Sequence, residues 1–270
     1  MRNRGFILLT LTCAVAAYSQ TPVVSDGGVV NAASFAPGQA VTPGSLVSIF
    51  GTELTGALAL ADSIPLATQL LNVSVTFNNI PAPLVAVIPG GSAQINAQLP
   101  WNVLPAGQKT GTANVVVRRG GVLSAPKVVQ VGPFSPGIFA VNFGIGPAIA
   151  ILPDGALAAP TGSIPGLATH PAKFDDVLQV LATGLGEVDI PVANGHNSLD
   201  QLRQTTTKPV VLIGGIPVKV EFSGMSPQFV GVNQVNIRID NPNVPKGNAV
   251  PLQLQIGGIT STDKVTIAVQ

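Results

Sequence analysis

Short runs in which apolar and polar residues alternate recur along this chain, separated by Gly, Pro and Asn. A period of two marks a strand with one buried face. Val73-Ser-Val-Thr-Phe77 and Gln94-Ile-Asn-Ala-Gln-Leu99 show it, and so do Gln234-Val-Asn-Ile-Arg-Ile239 and Leu252-Gln-Leu-Gln-Ile256. Between such runs stand the pairs Asn78-Asn79, Gly120-Gly121, Gly214-Gly215 and Gly257-Gly258. These pairs tolerate positive φ at both positions, as a type I′ hairpin turn requires.

The runs also repeat. Leu46 to Leu54 matches Val177 to Leu185, and Val73 to Pro81 matches Pro209 to Pro217. Gln94 to Leu99 then matches Gln234 to Ile239, Leu104-Pro-Ala-Gly107 matches Val244-Pro-Lys-Gly247, and Val115 to Ser124 matches Leu252 to Ser261. The order is the same in both copies, and the offset drifts at Pro/Gly turns, where insertions are tolerated. Each copy holds about six or seven short strands, with turn signals at the spacing of a two-sheet sandwich. The expected fold is all-β, with two tandem immunoglobulin-like β-sandwich domains related by an internal repeat.

The expected division is a linker over 20–27, a first domain over 28–140 and a second over 141–270. The second copy opens with an extra segment, Gly144 to Asp176, that reads as a hairpin around Asp154-Gly155 and a Pro-rich loop. A further insertion, Val188 to Thr206, predicts one helical turn at Ser198 to Arg203, with Ser198 as its cap.

Residues 1–19 read differently. Arg2 and Arg4 precede an apolar run from Gly5 to Ala17, and Ala17-Tyr18-Ser19 offers small residues before Gln20. Basic start, apolar middle and small-residue end describe a secretory signal peptide, cleaved near Ser19-Gln20. The run is shorter than the roughly 20 residues that span a bilayer. Lipidation at Cys13 reads poorly, because Thr12 stands where Gly or Ala is preferred. The expectation is export, to the cell surface, periplasm or exterior, with no transmembrane segment in the mature chain.

Composition narrows the function. Of 270 residues only 9% are charged and 46% are hydrophobic, so the chain should fold and not stay disordered. Without residues 1–19 it carries no cysteine, hence no disulfide, thiolate nucleophile or cysteine metal site. Near-neutral charge without a basic run speaks against nucleic acid as a partner.

The same strings carry a family resemblance. Gly28-Val-Val-Asn-Ala-Ala-Ser-Phe35, Pro43-Gly-Ser-Leu-Val-Ser-Ile-Phe-Gly-Thr52 and Gln94-Ile-Asn-Ala-Gln-Leu-Pro-Trp101 resemble the start of the Solibacter-type C-terminal domain family. Its later half is echoed by Pro136-Gly-Ile-Phe139, Ala182-Thr-Gly-Leu-Gly186, Gln234-Val-Asn236 and Val265-Thr-Ile-Ala-Val269. The resemblance implies functionally uncharacterised immunoglobulin-like modules, similar to the IPT/TIG type, at the ends of exported bacterial proteins. Lys173-Phe-Asp-Asp176 departs from the family's Pro-Gly-Asp turn, and here the module follows the signal peptide directly.

Candidate chemistry is sparse. The two histidines are His170 and His196. Ser198, His196 and Asp200 could be drawn as a triad, but neighbours in one loop seldom reach that geometry, and no Gly-x-Ser-x-Gly elbow follows a strand. No catalytic residue and no cofactor is therefore assigned. Asp175, Asp176, Glu187 and Asp189 are weak Ca²⁺ candidates, with solvated turn charges the preferred reading, set at the two ends of the Val177 to Gly186 strand, about 30 Å apart at ~3.3 Å per residue. That separation is too wide for paired glycosidase carboxylates. Trp101 is a ligand platform only if exposed, and packing is the expectation. The phenylalanines at 35, 50, 77, 134, 139, 174, 222 and 229 mostly alternate with polar neighbours and read as core. Gln94/Asn96 and Gln234/Asn236 occur in both copies, which points to a role in the fold.

The function expected is a non-catalytic interaction or adhesion module, with another exported protein or a cell-surface polymer as partner. The alternatives are an inert structural spacer and, third, an extracellular carbohydrate-binding protein or hydrolase accessory.

Overall fold

The computed structural model describes residues 21–270, so the expectations of a signal peptide over 1–19 and of cleavage near Ser19 lie outside the described residues. Strands and turns make up the described chain. Among the described residues no helix is long and apolar enough to cross a membrane.

The first copy runs β1 (Val23–Asn31), β2 (Leu46–Thr52), β3 (Ala59–Leu60), β4 (Gln69–Leu70), β5 (Val73–Phe77), β6 (Ile80–Pro81), β7 (Leu84–Ile88), β8 (Ala93–Gln98), β9 (Gly111–Arg119), β10 (Val122–Leu123) and β11 (Lys127–Val131). One sheet has the order β1-β2-β8-β7, extended by β3; in the other, β9 lies between β5 and β11. All these pairs are antiparallel. Labelled in chain order, this is A-B-E-D against C-F-G, the strand order of an immunoglobulin-like sandwich. The expected turns close the hairpins: Asn78 and Asn79 have φ of 49° and 65°, and Gly120 and Gly121 have 54° and 92°.

The second copy runs β12 (Gly137–Ile138), β13 (Ala140–Asn142), β14 (Ile145–Ala148), β15 (Ala150–Ile151), β16 (Leu157–Ala158), β17 (Thr169–His170), β18 (Val177–Thr183), β19 (Val210–Ile213), β20 (Ile216–Met225), β21 (Asn233–Arg238), β22 (Gly247–Ile256), β23 (Ile259–Thr260) and β24 (Val265–Val269). The same order returns: β12-β18-β21-β20 on one side and β19-β22-β24 on the other. Here the two halves join. β20 pairs β19 through Ile216 to Val218, then crosses over and pairs β21 from Lys219 to Met225. In the first copy Ala82-Pro83 interrupts that crossing and leaves β6 and β7 as separate strands.

Finer detail repeats as well. Val41 bridges Val131 in parallel, and Ala172, five residues before β18 as Val41 is before β2, bridges Val269 in parallel. A register shift falls between Leu84 and Ala86 opposite Asn96, and another between Val220 and Phe222 opposite Asn236.

Each sandwich has its own core. Val47, Ile49, Phe77, Leu84, Ile95 and Val115 belong to the first, and Leu178, Val180, Ile213, Ile237, Leu252 and Ile267 to the second. The alternation read from the sequence is visible in β5, where Val73, Val75 and Phe77 are buried between half-buried Ser74 and Thr76.

Four expectations need correction. β1 begins at Val23, inside the segment read as a linker, because a register shift between Val24 and Val29 lets it pair β2 on both sides. Gly137–Ile138 already pairs β18, so contacts of the second sandwich begin before the boundary set at 140. Residues 198–201 form a bend and not a helical turn, since Ser198 Oγ accepts from Arg203 Nη1 at 3.0 Å instead of capping backbone N–H groups. Phe77 is fully buried, but Phe174 and Phe229 are at least half exposed; Phe174 stands just before Asp175, whose φ of 70° turns the chain at the strand entrance.

Candidate functional site

The two sandwiches meet through buried polar groups. Asn31, at the end of β1, is 2% exposed; its Nδ2 donates to Ser135 O at 2.7 Å, while its Oδ1 accepts from the N–H groups of Ala33 and Ser34. Gln98, at the end of β8, is fully buried; its Nε2 donates to Gly44 O at 3.3 Å and its Oε1 accepts from Gly195 N–H at 2.7 Å. Buried polar atoms without such partners would be costly, and here each finds one across or beside the joint.

The insertion Val188 to Thr206 acts as a clasp. Its turn at Asn194-Gly195 reaches the first sandwich, where Asn194 Oδ1 accepts from Trp101 N–H at 2.8 Å and Asn194 Nδ2 donates to Asn102 Oδ1 at 3.0 Å. Leu66 N–H donates to Gly195 O at 2.9 Å. Arg203, nearly buried, holds the insertion together: its guanidinium donates to Ser198 Oγ and, by two bonds of 2.6 and 3.0 Å, to the Asp200 carboxylate. That pairing holds the Asp200 carboxyl below the usual carboxylate range. A permanently charged guanidinium, unable to accept a proton, thus binds both the serine and the aspartate that could be drawn with His196 as a triad.

Beside this joint lies a cleft of about 640 Å³. Trp101, Pro105 and Lys109 of the β8–β9 loop line it from the first sandwich, Glu187, Val188, Pro191 and Val192 from the second, and Pro133 and Phe134 from the connection between them. Lys109 Nζ and the Glu187 carboxylate pair across it, both more than half exposed. Trp101 is half-buried, neither free platform nor core. Its six-membered ring lies on Gly44, whose φ is +79° and where an added Cβ would fall 2.3 Å from the ring atoms. Trp101 Nε1 and Thr42 Oγ1, both on cleft-lining residues, are buried without a hydrogen-bond partner.

The remaining candidates are dispersed. Asp175 pairs with Arg238 at 3.0 Å, and Asp176 Oδ2 accepts from Lys173 N–H at 2.7 Å. At the other end of β18, Glu187 meets Lys109, and Asp189 Oδ1 accepts from the N–H groups of Ile190 and Gln204. Among the described residues no three of His, Cys, Asp and Glu group so as to hold a metal ion. His170 sits on β17, its Nε2 2.8 Å from Asp154 Oδ2 and its Nδ1 3.0 Å from Pro171 O. The Pro171 carbonyl and then the Asp154 carboxylate raise its pKa, and the His170 bond lowers that of Asp154. Gln94 Nε2 donates to Asn96 Oδ1 at 2.7 Å, and Gln234 Nε2 to Asn236 Oδ1 at 2.9 Å: the same bond along equivalent strands.

Strand order and joint define a chain of two immunoglobulin-like sandwiches. No family model matches it, and no curated protein does. Among solved structures, domains 5–6 of the S-layer protein SbsC align over 92% of this chain and 98% of that one, at 14% identity and a TM-score of 0.28. The I9–I11 tandem of titin aligns over 86% and 62%, at 12% identity and 0.22. The D00–D0 domain of intimin aligns over 90% and 99%, at 12% identity and 0.21. Likenesses at these scores carry no argument about function.

Proposed function

We propose that this chain is an exported, non-catalytic interaction module of the cell surface or extracellular space. Its two sandwiches act as one unit, and a partner that is another exported protein or a surface polymer docks on it. The observation that carries this reading is the joint: Asn31 and Gln98 are buried to hold one sandwich against the other, beside a cleft that both line. The groups that hydrolysis would need are instead engaged pairwise, Ser198 and Asp200 by Arg203 and His170 by Asp154. With these groups so engaged, binding is the chemistry that such a surface favours.

The inert-spacer reading also has an observation in its favour. Val23 pairs with Thr52, at the end of β2 away from the joint, and Gln270 bonds Ala172, away from the joint in the second sandwich. Load entering at one end of the described chain therefore leaves at the other. Immobilised protein, residues 20–270, exposed to the envelope and secreted fractions of its own cell separates the two. Saturable retention of one component, competed by free protein, supports the interaction module. Retention of nothing supports the spacer.

A further inference from the structure

We infer that the cleft at the joint binds an extended, uncharged, proline-containing peptide segment. This rests on the interaction reading and gives it a site and a ligand class.

Charge comes first. The charged residues lining the cleft, Lys109 and Glu187, are paired with each other. An ionised ligand would have to break that pair or enter without a counter-charge, and desolvating a charge without a partner is strongly unfavourable. A neutral occupant meets neither penalty.

The walls come next. The indole of Trp101 and the pyrrolidine rings of Pro43, Pro105 and Pro191 present flat or rigid apolar faces. Proline-containing segments settle into grooves of this kind, because their polyproline II form is preset and little entropy is lost on docking. That form has no internal hydrogen bonds, so its carbonyls need donors. The amides of Asn102 and Gln108, on exposed residues at the cleft, supply them.

Two unpaired atoms add an independent sign. Thr42 is 1% exposed, and neither its Oγ1 nor Trp101 Nε1 has a partner. Native proteins leave few such atoms, and two of the three among the described residues sit on residues that line this cleft. Both are closed off from solvent, so a ligand carbonyl reaches the indole N–H only if the ring moves. A sugar fits less well: each hydroxyl asks for a polar partner, and the lining is mainly apolar.

Trp101 is the single tryptophan of the chain, so its emission reports on this cleft. The test is a fluorescence titration of the protein, residues 20–270, with acetyl-(Ala-Pro)4-amide. Acetyl-(Ala-Gln)4-amide and cellohexaose serve as parallel probes, and the Ala106→Phe variant fills the cleft from an exposed loop position. The expected result is a saturable emission change with the proline peptide, weakened at least tenfold in Ala106→Phe and by the other two probes. Equal titration by the glutamine peptide, a response to cellohexaose alone, no saturable response to any probe, or unchanged affinity in Ala106→Phe would each overturn the inference. Circular dichroism and the unfolding midpoint establish that Ala106→Phe is folded; Thr207→Phe, which lines the cleft from the second sandwich, replaces it if it is not. The interaction reading is judged separately by retention from cell fractions, so it survives the loss of this one.

Discussion

The backbone N–H of Leu46 donates to Thr183 Oγ1 at 3.0 Å, and Thr183 Oγ1 donates in turn to the carbonyl of Gly231 at 2.7 Å. One hydroxyl thereby ties the start of β2 in the first sandwich to the end of β18 in the second. Thr52 holds the equivalent place at the end of β2, where it is exposed. The repeat thus contains its own control. Thr183→Val keeps the shape but leaves a buried N–H and a carbonyl short of a partner, and should destabilise by about 2 kcal/mol. Thr52→Val should stay within about 0.5 kcal/mol of the parent. Urea unfolding followed by circular dichroism measures both, and equal effects would deny that the joint contributes to stability.

Gly44 makes a second test of the joint. Its φ of +79° disfavours any side chain, and its Cα face carries the Trp101 ring. Gly44→Ala should lower stability by more than about 1 kcal/mol and move Trp101 emission toward that of a solvated indole. An unchanged spectrum would mean that the ring does not rest on this glycine.

Arg203 is the test of the clasp. Arg203→Met keeps bulk but removes the bonds to Ser198 and Asp200. Because the Asp200 side chain is 62% exposed, solvent screens much of the pair, and a stability loss of only ~1–2 kcal/mol is expected. The insertion itself should loosen more than the sandwiches. Limited proteolysis should find new cuts within Val188 to Thr206, and protection equal to the parent would contradict a holding role.

The four acidic candidates make a prediction about metal. Asp175 is taken by Arg238, Glu187 by Lys109, and Asp176 and Asp189 by backbone N–H groups. An ion that binds only the native state must raise the unfolding midpoint. Millimolar Ca²⁺ against chelator should therefore leave the midpoint of the protein, residues 20–270, unchanged. A rise of several degrees would restore one of these loops as a metal site.

The sheets were legible in the sequence because strand alternation and two-residue turns are local. Asn78-Asn79 and Gly214-Gly215 close their hairpins at positive φ in both copies. The joint was not, and Gln98 shows why. Alternation puts Gln98 on the outer face of β8 with Gln94 and Asn96, which are half-buried. Gln98 is fully buried because Gly195 of the other sandwich covers it. A period of two distinguishes inward from outward, but not water from a neighbouring domain. The clasp was hidden for a related reason: Ser198 suits a helix cap in sequence, and the guanidinium that claims it belongs to Arg203, the last residue of the turn it would have capped. Trp101 belonged to a string that marked the resemblance, yet its indole rests on Gly44 and its backbone N–H is taken by Asn194 of the other sandwich, neither of which a period of two shows.

His170 gives the protein a pH dependence whose sign follows from geometry. Both ring nitrogens face acceptors, the Pro171 carbonyl and the Asp154 carboxylate, and two acceptors favour the doubly protonated ring. Its folded-state pKa is therefore raised above the ordinary 6.5. A raised pKa means that the folded state binds the proton more tightly than the unfolded one. The stabilisation is then fully present below pH 6.5 and fades as pH rises through the higher folded value. Asp154 runs the other way: its pKa lies below 3.8, so its share is present above that value and lost as pH falls through the folded one. Together they place the strongest contribution between these limits. Proton NMR of the His170 ring should give a midpoint above 6.5 that returns toward 6.5 in Asp154→Asn. His170→Asn should flatten the loss of stability as pH rises above 6.5, without changing the fold. A His170 midpoint at or below 6.5 would mean that the ring and the Asp154 carboxylate do not stay in contact in solution.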